Sequence, residues 1–120
     1  MSDINTAHDP GCIFCKIVAG KIPAKKVFED DDILAFHDIH PWAPVHILII
    51  PKQHITSMVD AGMQHAPVLG KMLAVSSGLM RDLGVTNGYR HVINTGPDGR
   101  QEVMHVHLHV MGGPRPWLKG

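Results

Sequence analysis

Residues 102–111, EVMHVHLHVM, alternate between apolar and mostly polar side chains, and this pattern constrains the fold most. Successive side chains of a β-strand point to opposite faces, so the alternation predicts a strand. One face would carry the odd-numbered residues Val103, His105, His107 and His109. The other would carry the apolar residues Met104, Val106, Leu108 and Val110. The apolar face is expected to pack against a helix.

Hydrophobic patterns elsewhere predict four more strands, at residues 25–30, 32–38, 45–51 and 88–94. A short helix is predicted to start at the cysteine pair and to end near Gly20. A long helix is predicted over residues 67–83, with Gly84 as its stop. Its buried stripe would consist of Val68, Met72, Val75, Leu79 and Leu83. Most connections are too short for parallel crossovers, so the pattern favours an α+β fold with an antiparallel sheet.

The composition narrows the class of protein. A chain of 120 residues suits one domain, predicted at residues 11–120 after a flexible tail at residues 1–10. The formal net charge of zero argues against a nucleic-acid or anionic-membrane partner. No apolar run reaches membrane-spanning length, and the polar N-terminus does not resemble a signal peptide. A cytoplasmic location is the resulting prediction.

Two groups of residues are candidates for chemistry. Cys12 and Cys15 form a CxxC pair, which in a reducing compartment indicates a metal or redox site, although two thiols without a metal remain an alternative. Alternate histidines on a strand lie about 6.5–7 Å apart, so three of them would converge on one metal only with strain. Separate roles along a phosphate-containing ligand fit more easily, because imidazole acts as nucleophile, acid or base near neutral pH.

The chain resembles the histidine-triad (HIT) family. HVHLHVM matches its signature, residues 14–55 resemble its N-terminal half, and residues 82–113 resemble its C-terminal half. The similarity is greatest to the nucleotide-binding branch that hydrolyses nucleoside phosphoramidates. It implies a five-stranded antiparallel sheet with one long and one short helix, and a homodimer with a ten-stranded sheet. It implies no cofactor for the chemistry itself.

The resemblance also implies roles for individual residues. His107 resembles the nucleophile that forms a covalent nucleotidyl-histidine, and His109 resembles the residue that contacts the phosphate and bridging oxygens. His105 and His46 resemble the supporting histidines. The implied nucleotide contacts are His107 and His109 themselves, Asn94 at the phosphate, Asp38 and Ile39 at the ribose, and Phe14, Ile17, Phe36 and Ile39 at the base.

Two positions differ from the best-known eukaryotic members. Glu102 stands where they carry a serine that contacts the phosphate, which suggests altered handling of the leaving group. The CxxC pair resembles that of bacterial members and of galactose-1-phosphate uridylyltransferases. This similarity implies a structural zinc site formed by Cys12, Cys15, His54 and His105. Trp117 lies in a tail that resembles the segment directed toward the partner subunit's site.

The sequence therefore predicts a dimeric hydrolase that releases AMP or GMP from purine nucleoside phosphoramidates. One alternative is a hydrolase of dinucleoside polyphosphates or of adenosine phosphosulfate. Another is a nucleotide- or zinc-binding interaction module without catalysis, against which the intact triad argues.

Overall fold

The computed structural model describes residues 9–118, which form one sheet and two α-helices. In chain order the elements are α1 (Ile13–Val18), β1 (Lys26–Glu29), β2 (Ile33–His37), β3 (Val45–Pro51), α2 (Ala66–Asp82), β4 (Tyr89–Val92) and β5 (Leu108–Gly112). Two short 3-10 turns precede α2. All strand pairs are antiparallel, in the order β1-β2-β3-β5-β4. This architecture confirms the predicted α+β fold class.

Each face of the central strands has its own apolar cover. On one face Ile33, Ile47 and Val110 belong to the main core, against which the apolar stripe of α2 packs. On the other face Phe36 and Leu48 pack with Phe14 and Ile17 of α1. Leu48 pairs with His109 across β3 and β5, so His109 lies on the face that α1 covers. The alternation of strand residues thus separates a structural face from the candidate site.

Helix α2 begins and ends within a residue of the predicted bounds. Met72 is fully buried, and the rest of the predicted stripe is partly buried against the main core. Met80 is also fully buried, although the predicted stripe omitted it. Gly84 follows the helix with φ of +85°, a left-handed conformation that glycine adopts without steric cost. The spacing of apolar residues was therefore sufficient to locate this helix.

The predicted strand at residues 102–111 is wrong in its first half, because β5 begins only at Leu108. The last β3–β5 pair is Ile49 with Leu108. Pro51, near the next position of the ladder, has no N–H, and its carbonyl oxygen lies 2.8 Å from Nε2 of His105. The chain before β5 is therefore held by the His105 side chain and by isolated backbone bonds, such as that from the Val106 N–H to the carbonyl of Ile55, rather than by a ladder.

Two details of the histidine segment differ accordingly. Met104 is 47% exposed rather than packed on the helix, whereas Val106, Leu108 and Val110 are buried in the main core as expected. His105 turns toward the cysteines, and its N–H donates to the carbonyl of Val103. The three triad histidines nevertheless lie on the α1 side of the sheet, since Phe14 contacts the rings of His105 and His107.

The predicted N-terminal tail falls mostly at residues 1–8, outside the described part of the chain, and its flexibility stays a prediction. Asp9, the first described residue, already contacts α1: its N–H lies 3.4 Å from Sγ of Cys15. Among residues 9–118, no helix has the length and apolar character needed to span a membrane.

Candidate functional site

A cavity of about 540 Å³ opens on the α1 side of the sheet and is lined by every residue that was expected to contact a nucleotide. Those residues are Phe14, Ile17, Phe36, Asp38, Ile39, Asn94, His107 and His109. The phenyl rings of Phe14 and Phe36 meet edge to face at 5.7 Å. Ile39 lines the cavity although it is 86% exposed, so it stands at the rim. The lining therefore combines apolar side chains with imidazoles, a carboxylate and an amide.

His107 is oriented by the backbone that precedes it. Its Nδ1 lies 2.7 Å from the carbonyl oxygen of His105. A carbonyl only accepts hydrogen bonds, so Nδ1 of His107 carries the hydrogen. In the neutral ring Nε2 then holds a free electron pair. His107 is only 6% exposed and lines the cavity, so this electron pair is available to a bound ligand.

His109 is oriented by a chain of two hydrogen bonds. The backbone N–H of Trp42 donates to Nδ1 of His46 at 3.0 Å. Neutral His46 therefore carries its hydrogen on Nε2, which lies 2.9 Å from Nδ1 of His109. His109 accepts this bond, and its own hydrogen is placed on Nε2. The neighbouring histidines thus present opposite functions, an electron pair at His107 and an N–H donor at His109.

Burial keeps these imidazoles neutral. It lowers the pKa of His46, although the nearby Asp38 carboxylate acts in the opposite direction. The pKa of His107 is likewise lowered by burial, against the hydrogen bond to His105 and the charges of Asp38 and Glu102. The pKa of His109 falls to about 4, because of burial and then of its neighbours His107 and His46. His107 can therefore act as a nucleophile at neutral pH without first losing a proton.

Asp38, His46 and His109 are close enough to hold a metal ion, but their hydrogen bonds favour another role. His46 would have to bind through Nε2, the atom that faces both other residues. That atom carries the hydrogen, because Nδ1 accepts from the backbone of Trp42. The group therefore acts as a hydrogen-bond chain.

The cysteine pair, in contrast to that group, has the geometry of a metal site. Cys12 Sγ lies 3.3 Å from Nδ1 of His105, and Cys15 Sγ lies 3.6 Å from the same atom. Nδ1 of His54 lies 3.2 Å from Cys15 Sγ and 3.2 Å from Nδ1 of His105. A tetrahedral zinc site requires about 3.6 Å between sulfur and nitrogen and about 3.4 Å between two nitrogens. These four distances therefore agree with a zinc site to within a few tenths of an ångström, and all four ligand atoms lie within 4.8 Å of one another.

The surroundings of these four residues also suit a metal. Nε2 of His105 donates to the carbonyl of Pro51, so its Nδ1 directs a free electron pair at the cysteines. Nε2 of His54 lies 3.1 Å from the hydroxyl of Thr56. Burial raises the pKa of the Cys15 thiol to about 11, so binding of a cation would release a proton there.

Several residues that line the cavity were not expected from the sequence. The Trp42 ring stacks on His109, with centroids 6.1 Å apart and an interplanar angle of 14°. Arg100 also lines the cavity, and so does Glu102, which stands at the position that the resemblance placed beside the phosphate. The added apolar lining consists of Ile13, Ile22, Pro23, Ala24, Leu48 and Val103. The only available signal for Trp42 was its place between two prolines, a pattern that indicates a loop but no direction for the ring.

Trp117, which resembled the tail near the partner's site, lies in a different cleft beside β4. Its indole N–H donates to the carbonyl of Gly113 at 3.0 Å. The described tail residues, 112–118, therefore do not line the histidine cavity of their own chain, although the Leu118 N–H donates to the carbonyl of Trp42, which does line it.

Comparison with known proteins identifies the family. The family model described as "HIT domain" matches residues 19–115. The chain belongs to the HIT family. A HIT family hydrolase from Legionella pneumophila has a similar structure, with a TM-score of 0.84 and 47% sequence identity over 88% of this chain and 95% of that one.

Two HIT relatives from plants have informative names. The 14 kDa zinc-binding protein of Zea mays is 46% identical over 88% of this chain and 84% of its own length. Adenylylsulfatase HINT1 of Arabidopsis thaliana is 44% identical over 90% of this chain and 75% of its own length. The predicted family is therefore confirmed.

Proposed function

We propose that this HIT protein is a nucleotide hydrolase that cleaves purine nucleoside phosphoramidates to a nucleoside monophosphate. The observation that carries the proposal is the orientation of His107, whose Nδ1 hydrogen is held by the carbonyl of His105.

In the first step Nε2 of His107 attacks the α-phosphorus and the P–N bond breaks. The nitrogen leaves with the bonding pair and takes a proton from water, while His109 donates a hydrogen bond from Nε2 to the departing atom. The nucleotidyl-imidazolium that forms keeps its Nδ1 hydrogen on the His105 carbonyl. Water then attacks the phosphorus, the pair returns to Nε2, and the spare proton enters solvent. Dividing hydrolysis in this way lowers each barrier.

The proposed catalytic set is therefore His107 as nucleophile and His109 as donor, with His46 and His105 as positioning residues. Nucleotide contacts would come from Phe14, Ile17, Phe36, Asp38, Ile39 and Asn94. The apolar residues of the lining would hold the purine base.

The test is a substrate panel with purified wild type and His107→Ala. Wild type should release AMP from an adenosine phosphoramidate, and mass spectrometry should detect a nucleotidyl adduct during turnover. Both signals should be lost in His107→Ala. Arg81, exposed on α2 and absent from the cavity lining, supplies a control, since Arg81→Gln should leave both unchanged. Binding of AMP without turnover of any substrate would instead support a non-catalytic module.

A second candidate is hydrolysis of adenosine phosphosulfate, favoured by the name of the Arabidopsis relative. Dinucleoside polyphosphates are a third candidate of the same class. The same panel separates them, because the preferred substrate is the one with the largest kcat/KM.

We also infer that zinc has a structural role here, held by Cys12, Cys15, His54 and His105. The close approach of their ligand atoms and the name of the maize relative support this inference. Bound zinc would join α1 to the segment that precedes His107, and His105 would then act as a scaffold. Purification without chelators followed by metal analysis should yield about one zinc per chain, and a content near zero would contradict the inference.

The homodimer and the cytoplasmic location remain proposals. Strand β4 is at the edge of the sheet, and within residues 9–118 no strand pairs with its outer side. A second copy could extend the sheet there to ten strands. Light scattering would measure the molecular mass in solution and so distinguish a monomer from a dimer.

A further inference from the structure

Arg100 has an unusual backbone for its residue type. Its φ is +61°, and among residues 9–118 it is the only residue other than glycine in the left-handed region. A side chain there costs about 1–2 kcal/mol, because Cβ approaches the backbone carbonyl. The same residue lines the histidine cavity. Because this strained backbone lies at the candidate site, it indicates that arginine occurs here for the function of its side chain and not for the geometry of the turn.

The surrounding loop holds Arg100 in this position. The side chain of Gln101 accepts from the N–H of Gly96 and donates to the carbonyls of Thr56 and Val103. The Arg100 N–H donates to the carbonyl of Pro97. Gln101 is only 8% exposed, so these bonds are shielded from water. Arg100 therefore projects from a well-supported turn.

Arg100 brings a positive charge to the cavity lining. Among residues 9–118 it is the only lysine or arginine that lines the cavity, whereas Asp38 and Glu102 are both acidic. Burial lowers the pKa of His109 to about 4, which leaves that ring neutral at pH 7. Within residues 9–118, the Arg100 guanidinium forms neither an ion pair nor a hydrogen bond. It is thus a permanent cation available to a ligand.

Its position indicates which part of a substrate it meets. Arg100, Glu102 two residues further along and His107 all line the same cavity, so this loop borders the site of the nucleophile. In a phosphoryl transfer the leaving group departs roughly in line with the attacking atom, on the far side of the phosphorus. Both residues line the cavity, but His107 is buried whereas Arg100 is exposed to solvent. The outermost part of the substrate is therefore the part nearest Arg100.

We propose that Arg100 is a specificity residue that favours leaving groups carrying an anionic oxyacid group. This inference rests on the proposed function and adds a class of substrate to it. Arginine suits the task, because its planar guanidinium forms paired hydrogen bonds with carboxylate, sulfonate or phosphate oxygens. The Glu102 carboxylate repels the same anion, so the preference for an anionic leaving group depends on Arg100.

The experiment compares two adenosine 5′-phosphoramidates that differ only at the end of the leaving amine. One releases β-alanine, which carries a carboxylate, and the other releases propylamine, which carries a methyl group instead. Arg100→Gly removes the guanidinium and suits a positive φ, so this variant is expected to fold. It should lose about tenfold or more in kcat/KM for the β-alanine substrate and less than about twofold for the propylamine substrate.

Controls separate local from general charge effects. Arg81→Gln removes the same charge from the exposed face of α2, away from the cavity, and should leave both substrates unaffected. Arg100→Lys keeps the charge without the planar fork and should retain part of the preference. Substrates that release taurine or 2-aminoethyl phosphate replace the carboxylate by a sulfonate or a phosphate. Among the carboxylate, sulfonate and phosphate substrates, the one whose kcat/KM falls most in Arg100→Gly identifies the preferred anion.

Equal losses for both substrates in Arg100→Gly would overturn the inference, because they would place the guanidinium at the α-phosphate. If wild type turned over neither substrate, the proposed function would fail instead. Binding of the two compounds to the His107→Ala protein then tests Arg100 separately. Calorimetry should show that adding Arg100→Gly to His107→Ala weakens the binding of the β-alanine compound but not that of the propylamine compound. Unchanged affinities would refute the role of Arg100.

Discussion

We expect His109 to remain neutral in the folded protein well below the pH at which a free imidazole takes up a proton. Its pKa is lowered from 6.5 to about 4, because of burial first, then of His107 and His46. This difference corresponds to about 3 kcal/mol against protonation in the folded state. The figure is an upper bound, since local opening of the cavity offers the proton an easier path.

The sign of the accompanying stability change follows from linkage. Between pH 6.5 and about 4 the unfolded chain binds a proton at His109 and the folded chain does not. The free energy of unfolding therefore falls as the pH decreases through this range and levels off below it. Comparing wild type with His109→Gln in urea titrations at several pH values isolates this contribution, because the variant lacks the titrating group.

Nitrogen-detected NMR of the histidine rings is the direct assay. His109 should show the hydrogen on Nε2 and should titrate near pH 4. His46→Phe should raise its pKa, although burial should still hold it below 6.5. Asp38→Asn should lower it further, because that carboxylate favours the charged ring. A wild-type pKa at or above 6.5, or a hydrogen on Nδ1, would refute the proposed chain of bonds.

Three further predictions concern the metal, the core and the nucleophile. Cys15→Ser should lower the Tm and abolish its response to zinc and chelator, because a thiolate ligand is lost; differential scanning calorimetry measures both. Met80→Ala should cost about 2–5 kcal/mol in urea unfolding, because its fully buried side chain leaves a cavity. Glu102→Gln should lower the pKa of His107, since this charge raises it, and shift the acid limb of kcat/KM to lower pH.

Each of these predictions has a clear contrary result. A wild-type Tm that ignores chelator would show that zinc does not stabilise the fold. A loss below about 0.5 kcal/mol for Met80→Ala would match an exposed site rather than a core one. An acid limb that stays in place or moves to higher pH in Glu102→Gln would show that this carboxylate does not act on His107.

Much of the fold could be predicted because its elements are locally encoded. The central strand β3 agrees with its predicted bounds, since a run of branched residues ends at a proline. Helix α2 agrees within a residue, because one apolar stripe and Gly84 define it. The strand at residues 102–111 was extended too far, because the alternation continues where pairing with β3 has already ended. Hydrophobic periodicity indicates which face of the sheet a side chain occupies, whereas a β-strand also needs a neighbouring strand with which to form hydrogen bonds.

The candidate site divides in the same way. The sequence by itself determined which histidines and cysteines were available, and the resemblance grouped them into a nucleotide site and a metal site. Only the tertiary structure decided the placement of each ring hydrogen, because the carbonyls of His105 and Pro51 and the N–H of Trp42 orient the imidazoles. It also brought Arg100 to the cavity, through bonds between segments far apart in the chain. Local pattern selects residue types, but hydrogen-bond direction depends on partners that meet only after folding.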